Sequence, residues 1–154
     1  MNKALNVLVL GVTGTGKTFI ATSLGVATCR DDYSVRYWRT SRLIHALAHA
    51  RQDGSYLFFL RSLNKMDVLI LDDWMRDPIQ LSSTQVLLEI FDDRFNKKST
   101  LIVSQVPVPD WHLRFPDPTL ADAILDRPIH NAHRLSLLGE SQRKLRGNRS
   151  MPHT

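Results

Sequence analysis

The feature that most constrains the fold is a glycine-rich loop, which reads G-V-T-G-T-G-K-T from Gly11 to Thr18. It matches the pattern G-x-x-x-x-G-K-[ST], in which backbone N–H groups surround phosphate oxygens. The apolar run from Leu5 to Leu10 predicts a buried strand before the loop, and apolar residues at helical spacing between Phe19 and Cys29 predict a helix after it. This order predicts an α/β domain that binds a nucleotide.

The loop residues have different predicted roles. Glycines give the backbone the dihedral angles that the loop needs, and the helix that starts near Gly16 directs its positive dipole end at an anion. Lys17 would place a positive charge near the terminal phosphates, and Thr18 would offer a hydroxyl to Mg²⁺. The predicted phosphate-binding residues are Gly11, Val12, Thr13, Gly14, Thr15, Gly16, Lys17 and Thr18.

A pair of aspartates ends the next strongly apolar segment. The run from Val68 to Leu71 is continuously apolar, as expected for a central parallel strand that is covered on both faces. Asp72 would hold Mg²⁺ at the carboxyl end of this strand, where ligands of such sheets bind. Asp73 would polarise the attacking water. The simpler alternative is a turn that contains two aspartates.

A third predicted strand, Thr100 to Val103, is followed by Ser104 and Gln105. A polar side chain at this point could contact a γ-phosphate or orient water. Ser and Gln after a strand are also common in ordinary turns, so the residues alone leave both interpretations open.

The remaining segments predict a doubly wound parallel sheet. Val35 to Trp38 is strand-like, and it precedes helical segments at Ser41–Arg51 and Tyr56–Leu63. The sequence from Ser82 to Gln85 resembles a capping box, which would open a helix with its apolar residues on one face. These apolar residues are Leu87, Ile90, Phe91 and Phe95.

The charge balance favours a polyanionic partner. The formal net charge is +5, and residues 36–66 contain six basic residues but only one acid, Asp53. This segment is either a solvated helical surface or a surface that contacts the DNA backbone. The basic residues are Arg36, Arg39, Arg42, Arg51, Arg61 and Lys65.

Other residue classes narrow the setting. The single cysteine, Cys29, excludes an internal disulfide and favours a reducing, cytoplasmic environment. No apolar run approaches the roughly 20 residues that span a bilayer, so no membrane association is expected. Two histidine pairs at helical spacing lack a third ligand, which favours surface histidines over a metal site. These pairs are His45 with His49, and His130 with His133.

Several longer segments are similar to one family. "LILDDW", "LIVSQVPVPDWH", "DPTLADAILDR" and "HNAHR" follow the glycine loop in this order. The chain resembles the AAA+ domain of IstB-like transposition helper ATPases, which are relatives of the DnaC helicase loaders, over roughly residues 4–146. The resemblance implies a P-loop NTPase of AAA+ type, with a five-stranded parallel sheet, helices on both faces, and little or no lid domain.

The resemblance also implies roles for residues outside the loop. Asp72 and Asp73 match the family's second nucleotide motif. Gln105, with Ser104 second, lies where such ATPases place a sensor of the γ-phosphate. Arg127 in "LDRP" matches an arginine finger that reaches a neighbour's nucleotide, and Arg143 in "ESQRK" matches a second sensor that contacts the nucleotide.

Three departures from the family pattern follow from the same resemblance. Family members carry a helical N-terminal region before the ATPase domain, whereas here the loop begins ten residues after Met1, so we expect a bare motor domain. Met75 stands where relatives usually have glycine after "DDW". Pro128 follows the predicted finger and lacks an N–H group, which is expected to alter the local helix or the finger's orientation.

The predicted protein is an ATP- and Mg²⁺-dependent ATPase that helps DNA transposition, with DNA, a transposase and further copies of itself as partners. The predicted domain covers residues 1–140, and a basic tail, expected to be frayed, covers 141–154. Three alternatives remain: a truncated nucleotide-binding module without productive hydrolysis, a DnaC-like helicase loader, and a small-molecule kinase of the P-loop superfamily.

Overall fold

Five parallel strands form one sheet in a computed structural model, which describes residues 4–12, 16–129 and 132–137. The strand order is β2-β3-β4-β1-β5. The elements are β1 (Val7–Gly11), α1 (Lys17–Arg30), β2 (Val35–Arg39), α2 (Thr40–Asp53), α3 (Tyr56–Asn64), β3 (Val68–Asp72), α4 (Leu81–Arg94), β4 (Ser99–Ser104), a 3₁₀ helix (Val108–Arg114), α5 (Pro118–Ile129) and β5 (His133–Leu137).

Helices cover both faces of the sheet, which confirms the predicted fold class. Alternate strand residues point to opposite faces, so Leu69 and Leu71 of β3 join the larger core with helices α2 to α5. Ile70 points the other way and joins a smaller core in which Ala21 of α1 is buried. Both faces of β3 are therefore buried, which explains its continuously apolar sequence. No second domain is found among the described residues, and residues 138–154, which include the predicted tail at 141–154, lie outside them.

The helical segments agree with the predictions except at two boundaries. Helix α4 begins at Leu81 after the N-cap residue Gln80, whose side chain makes no capping hydrogen bond, so the predicted capping box is wrong. Thr84 instead donates its hydroxyl to the Gln80 carbonyl oxygen at 2.8 Å. Phe95 lies just beyond the helix and is partly exposed, so it does not share the buried face of α4.

Arginine 94 is a buried charge that joins three elements. Only 2% of Arg94 is exposed, and its guanidinium donates to the carbonyl oxygens of Met66 and Ser99 at 2.9 and 2.6 Å. Further bonds go to the Leu63 carbonyl oxygen at 3.3 Å and the Thr100 hydroxyl at 3.2 Å. Burial lowers the pKa of Arg94 to about 10, so the group stays charged at neutral pH.

The backbone at Met75 has a conformation that favours glycine, although a methionine occupies this position. Met75 has a φ of +64°, in the left-handed region that glycine adopts without the steric cost of a Cβ atom. The Met75 side chain is buried in the larger core, where only 1% of the residue is exposed. Packing of this side chain therefore offsets a backbone cost of about 1–2 kcal/mol.

No helix among the described residues has the length and apolar character needed to cross a bilayer.

Candidate functional site

The strand order brings the predicted functional segments together. Strand β4 lies between β1 and β3, so the residues that follow these three strands emerge side by side at one edge of the sheet. These residues are the glycine loop after β1, Asp72 and Asp73 at the end of β3, and Gln105 after β4. The carboxyl edge of a parallel sheet is where such folds bind ligands.

A cleft of about 280 Å³ lies at this edge. It brings together a lysine, two carboxylates, a hydroxyl and an amide, which is the chemistry that a metal–nucleotide complex requires. Its lining residues are Gly16, Lys17, Thr18, Phe19, Asp72, Asp73, Val103 and Gln105.

The described part of the glycine loop leads directly into α1. Gly16 has a φ of +89° and precedes the first helical residue, Lys17. A residue with a Cβ atom would be strained in this conformation, which accounts for the last glycine of the motif. Thr13, Gly14 and Thr15 lie outside the described residues, and their predicted phosphate contacts stay predictions.

The lysine of the loop lines the cleft. Lys17 Nζ donates a hydrogen bond to the Val12 carbonyl oxygen at 2.9 Å. Burial lowers the pKa of Lys17, and the nearby charges of Asp72 and Asp73 oppose this shift. The ammonium group is thus close to both carboxylates and partly withdrawn from water, which strengthens its interaction with an incoming phosphate.

Asp72 is buried, and its carboxylate accepts three hydrogen bonds. Oδ1 accepts from the Asp73 backbone N–H at 2.8 Å, and Oδ2 accepts from the Thr18 hydroxyl at 3.3 Å and from the Tyr37 hydroxyl. A hydroxyl and a carboxylate oxygen this close together fit Mg²⁺, which prefers hard oxygen ligands. Thr18 and Asp72 are therefore the residues suited to hold that ion or its water shell.

Asp73 is more exposed than its neighbour and carries a charged partner. Its backbone has a φ of +53°, and its Oδ2 lies 3.5 Å from Arg39 Nε. The Asp73 side chain is 39% exposed and that of Arg39 is 52% exposed. An ion pair this exposed contributes about 0–1 kcal/mol, so a competing ligand can separate it easily.

The two residues that follow β4 occupy different surroundings. Gln105 lines the cleft, between the loop and the aspartates. Ser104 is buried, and its hydroxyl donates to the Trp74 carbonyl oxygen at 2.6 Å and accepts from the Val106 N–H at 3.1 Å. Gln105 therefore borders the cleft, whereas the Ser104 hydroxyl is bonded within the turn.

Arg127 lies at the opposite edge of the sheet from the cleft. The Asn6 side chain, just before β1, donates at 3.3 Å to the carbonyl oxygens of Arg127 and Pro128. The five residues of β1, at about 3.3 Å each, separate this edge from the cleft by roughly 16 Å. Arg127 lies within the last turn of α5, and this helix continues through Pro128 to Ile129, so Pro128 does not end it.

The Arg127 side chain makes three contacts within its own chain. Its guanidinium forms an ion pair with Asp92 of α4, donates to the Ala123 carbonyl oxygen at 2.7 Å, and lies 5.9 Å from the centre of the Phe95 ring. A role toward a neighbouring molecule would require exchange of the Asp92 contact.

The predicted second sensor and the histidine pairs are only partly described by the structure. Arg143 and His130 lie outside the described residues. His45 and His49 are exposed on α2, and His49 Nε2 lies 3.8 Å from Asp53. In the part of the chain that the structure describes, no three His, Cys, Asp or Glu side chains are grouped to bind a metal.

Tyr37 and Arg39 contact the aspartates but were not predicted as site residues. Both lie on the edge strand β2, where Arg39 is in register with Asp72. Arg39 lies at the carboxyl end of a predicted strand, where parallel sheets bind ligands, and this position could have revealed it. Tyr37 precedes it by two residues, so side-chain alternation places both on the same face of the strand. From the sequence, Arg39 is predicted only as part of a basic surface.

The profile of one protein family, described as IstB-like ATP binding protein, matches residues 1–150 of the chain. The chain belongs to the IstB-like ATP-binding proteins. Two curated relatives support this family. The insertion-sequence ATP-binding protein y4pL of Sinorhizobium fredii is 49% identical, with 90% of this chain and 57% of the relative covered. The IS21 ATP-binding protein of Pseudomonas aeruginosa is 34% identical, with 93% and 54% covered. This IstB-like chain thus spans little more than half the length of these relatives.

Solved structures show the same fold. The DnaI structure has a TM-score of 0.79 at 20% identity, and the match covers 89% of this chain and 75% of DnaI. The DnaC helicase loader has a TM-score of 0.72 at 21% identity, with 87% and 78% covered. The replication initiator DnaA, solved with AMPPCP and single-stranded DNA, has a TM-score of 0.73 at 18% identity, with 88% and 41% covered. At these identities the likeness concerns the fold alone.

Proposed function

We propose that this IstB-like domain binds ATP with Mg²⁺ in the cleft, hydrolyses it, and acts as an ATP-controlled switch in DNA transposition. The observation that carries this proposal is the convergence of Lys17, Thr18, Asp72, Asp73 and Gln105 on one cleft. The names of the curated relatives, which are ATP-binding proteins of insertion sequences, support the transposition setting. Such a role belongs in the cytoplasm.

Each cleft residue has a role in this mechanism. Lys17 would exchange the Val12 carbonyl for phosphate oxygens when ATP binds, because Lys17 lines the cleft. Asp73 would orient the attacking water, and Gln105 would contact the γ-phosphate. Mg²⁺, bound near Thr18 and Asp72, would neutralise charge on the phosphates.

Arg127 completes the proposed mechanism from a neighbouring copy. Because Arg127 lies at the far edge of its own sheet, roughly 16 Å from its own cleft, it is better placed to reach another subunit's nucleotide than its own. Assembly of several copies would then activate hydrolysis, and hydrolysis would in turn change the contacts between subunits and with a transposase.

Asp73→Asn should separate binding from hydrolysis. A water-orienting carboxylate acts mainly in the transition state, so we expect unchanged ATP affinity and a turnover about 100-fold lower. Titration with a labelled ATP analogue and a phosphate-release assay measure the two quantities on one preparation. Asp77→Asn, at an exposed position four residues further along the chain, is the control. Normal turnover in Asp73→Asn would contradict the assigned role.

DNA is the second proposed ligand, and the exposed basic residues of β2, α2 and α3 are its proposed contact surface. All six basic residues of segment 36–66 are exposed. The one acid in this segment, Asp53, accepts hydrogen bonds from Ser55. DnaA, a structural neighbour, was solved with single-stranded DNA, which supports this proposal. The proposed contacts involve phosphates and are therefore independent of sequence.

Binding of a mixed-sequence DNA duplex should weaken steeply as salt increases. Each phosphate contact contributes about −0.9 to the slope of log affinity against log salt, so replacing Arg42 and Arg51 by Ala should flatten the slope by about 1.8. Arg30→Ala with Arg76→Ala, two exposed positions elsewhere, is the matched control and should leave the slope unchanged. Equal slopes for both double variants would assign the Arg42 and Arg51 positions to ordinary solvated surface.

A nucleotide-binding module without productive hydrolysis is the second candidate. The observation that favours it is that Arg127 is paired with Asp92, and Asp73 with Arg39, within the same chain. The two candidates differ in one measurement, since turnover per subunit rises with protein concentration only in the assembling ATPase. A DnaC-like helicase loader is compatible with the fold but has no specific support in the cleft.

A further inference from the structure

Tyr37 connects the edge strand to the proposed metal site. It lies on β2 in register with Ile70 of β3, and its hydroxyl donates to Asp72 Oδ2 at the end of β3. The same oxygen accepts the hydroxyl of Thr18 at 3.3 Å. Tyr37 thus contacts the carboxylate of Asp72, a residue that is only 4% exposed and that belongs to the proposed Mg²⁺ site.

We propose that Tyr37 is a positioning residue that orients the Asp72 carboxylate for Mg²⁺ and thereby sets the Mg²⁺ concentration that ATP binding requires. This inference rests on the proposed function. Tyr37 acts through Asp72 and contacts neither the phosphates nor the reacting water in this account.

The hydrogen bonds of Asp72 give the physical reason. A carboxylate rotates about its terminal bond unless both oxygens are held. The backbone N–H of Asp73 fixes Oδ1 at 2.8 Å, and the Thr18 contact to Oδ2 is long at 3.3 Å and belongs to a side chain that would itself serve the metal. The Tyr37 hydroxyl is therefore the donor best able to fix Oδ2.

The Tyr37 ring borders a groove, and 42% of the residue is exposed. This groove lies between α1 and β3, and Gly25, Val26 and Ile70 also line it. A Phe at this position would keep these ring contacts and remove only the hydroxyl. Side chains that orient a metal-binding carboxylate usually change metal affinity 10- to 100-fold when removed, and one lost hydroxyl corresponds to the lower end of that range.

Tyr37→Phe should raise the Mg²⁺ concentration that gives half-maximal binding of an ATP analogue about tenfold. The readout is binding of a fluorescent, non-hydrolysable ATP analogue, titrated in EDTA and then across a series of Mg²⁺ concentrations. In EDTA the variant should bind as the wild type does. Tyr56→Phe is the matched control, because it removes a hydroxyl that donates to Glu89 at 2.7 Å on the exposed surface between α3 and α4.

A double variant tests whether Tyr37 acts through Asp72. In an Asp72→Asn background, Tyr37→Phe should cause no further change in the Mg²⁺ requirement, because the carboxylate that it positions is already gone. An additional tenfold change in that background would overturn the inference.

Other results would also overturn it. An unchanged or lower Mg²⁺ requirement in Tyr37→Phe would show that the hydroxyl does not help the metal site, and weaker binding in EDTA would show that Tyr37 serves the nucleotide or the fold. A wild-type domain that binds the analogue in neither condition would overturn the proposed function, and this inference with it.

Discussion

Arg127→Ala should lower ATP turnover about 10³-fold while leaving ATP affinity unchanged, since an arginine finger stabilises charge only in the transition state. Arg127 lies at the edge opposite the cleft, so Arg127→Ala leaves every ATP-binding residue of its own cleft in place. The loss of turnover should therefore occur without a loss of affinity. Phosphate release, measured at a protein concentration where turnover per subunit has reached its maximum, tests the prediction.

The ion pair with Asp92 supplies a matched control. Asp92→Asn removes the same ion pair but leaves the guanidinium in place. If Arg127 is a finger, Asp92→Asn should retain or increase turnover, because release from Asp92 makes the arginine available to a neighbour. If both variants lose turnover and unfold at equally low denaturant, Arg127 serves the fold of its own chain and the finger role is wrong.

Arg94→Met should destabilise the domain by about 3–4 kcal/mol, because hydrogen bonds from a charged donor contribute about 1.5–3 kcal/mol each and buried acceptors would be left without partners. Arg94 joins the end of α3, the turn between α3 and β3, and the start of β4, through the carbonyl oxygens of Leu63, Met66 and Ser99. Methionine has a similar length and apolar stem, so the change isolates the hydrogen bonds from the packing.

Urea unfolding measures this loss, and Arg114→Met is the matched control. Arg114 makes one exposed hydrogen bond, to the Arg76 carbonyl oxygen at 3.4 Å, so its replacement should cost less than about 0.5 kcal/mol. A loss below about 1 kcal/mol in Arg94→Met would contradict the joining role of this arginine.

The sequence predicts the loop, the strands and the aspartate pair because each depends on residues that are close together in the chain. Val68 to Leu71 is apolar at every position, and this pattern follows from burial on both faces of a central strand. The glycine loop is similarly local, since its backbone geometry and the charge of Lys17 arise within eight residues. Such features are independent of which strands become neighbours.

Contacts across the sheet could not be predicted in this way. The bond from Tyr37 to Asp72 depends on β2 lying beside β3 in one register, and a shift of one residue would direct the Tyr37 side chain to the other face. The hydrogen bonds of Arg94 likewise join segments that meet only after folding. A single sequence contains the residues of these contacts but not the register that pairs them.

The predicted capping box failed for a related reason. Ser82 and Gln85 have the right types and spacing for a cap, but the N-cap residue is Gln80 and α4 starts at Leu81, two residues earlier than a cap at Ser82 would give. Ser82 therefore lies inside the helix, where its side chain is exposed. Helix starts depend on the path of the preceding loop, which local patterns do not specify.

Mixing two inactive variants tests the central claim, that a complete ATP hydrolysis site forms between two copies of the domain. Lys17→Ala subunits should not bind ATP but keep Arg127, and Arg127→Ala subunits should bind ATP but lack the finger. We expect each variant alone to be inactive and an equimolar mixture to recover part of the wild-type phosphate release, because some interfaces pair an intact cleft with an intact arginine. A mixture that stays inactive, under conditions where the wild type turns over, would contradict the account.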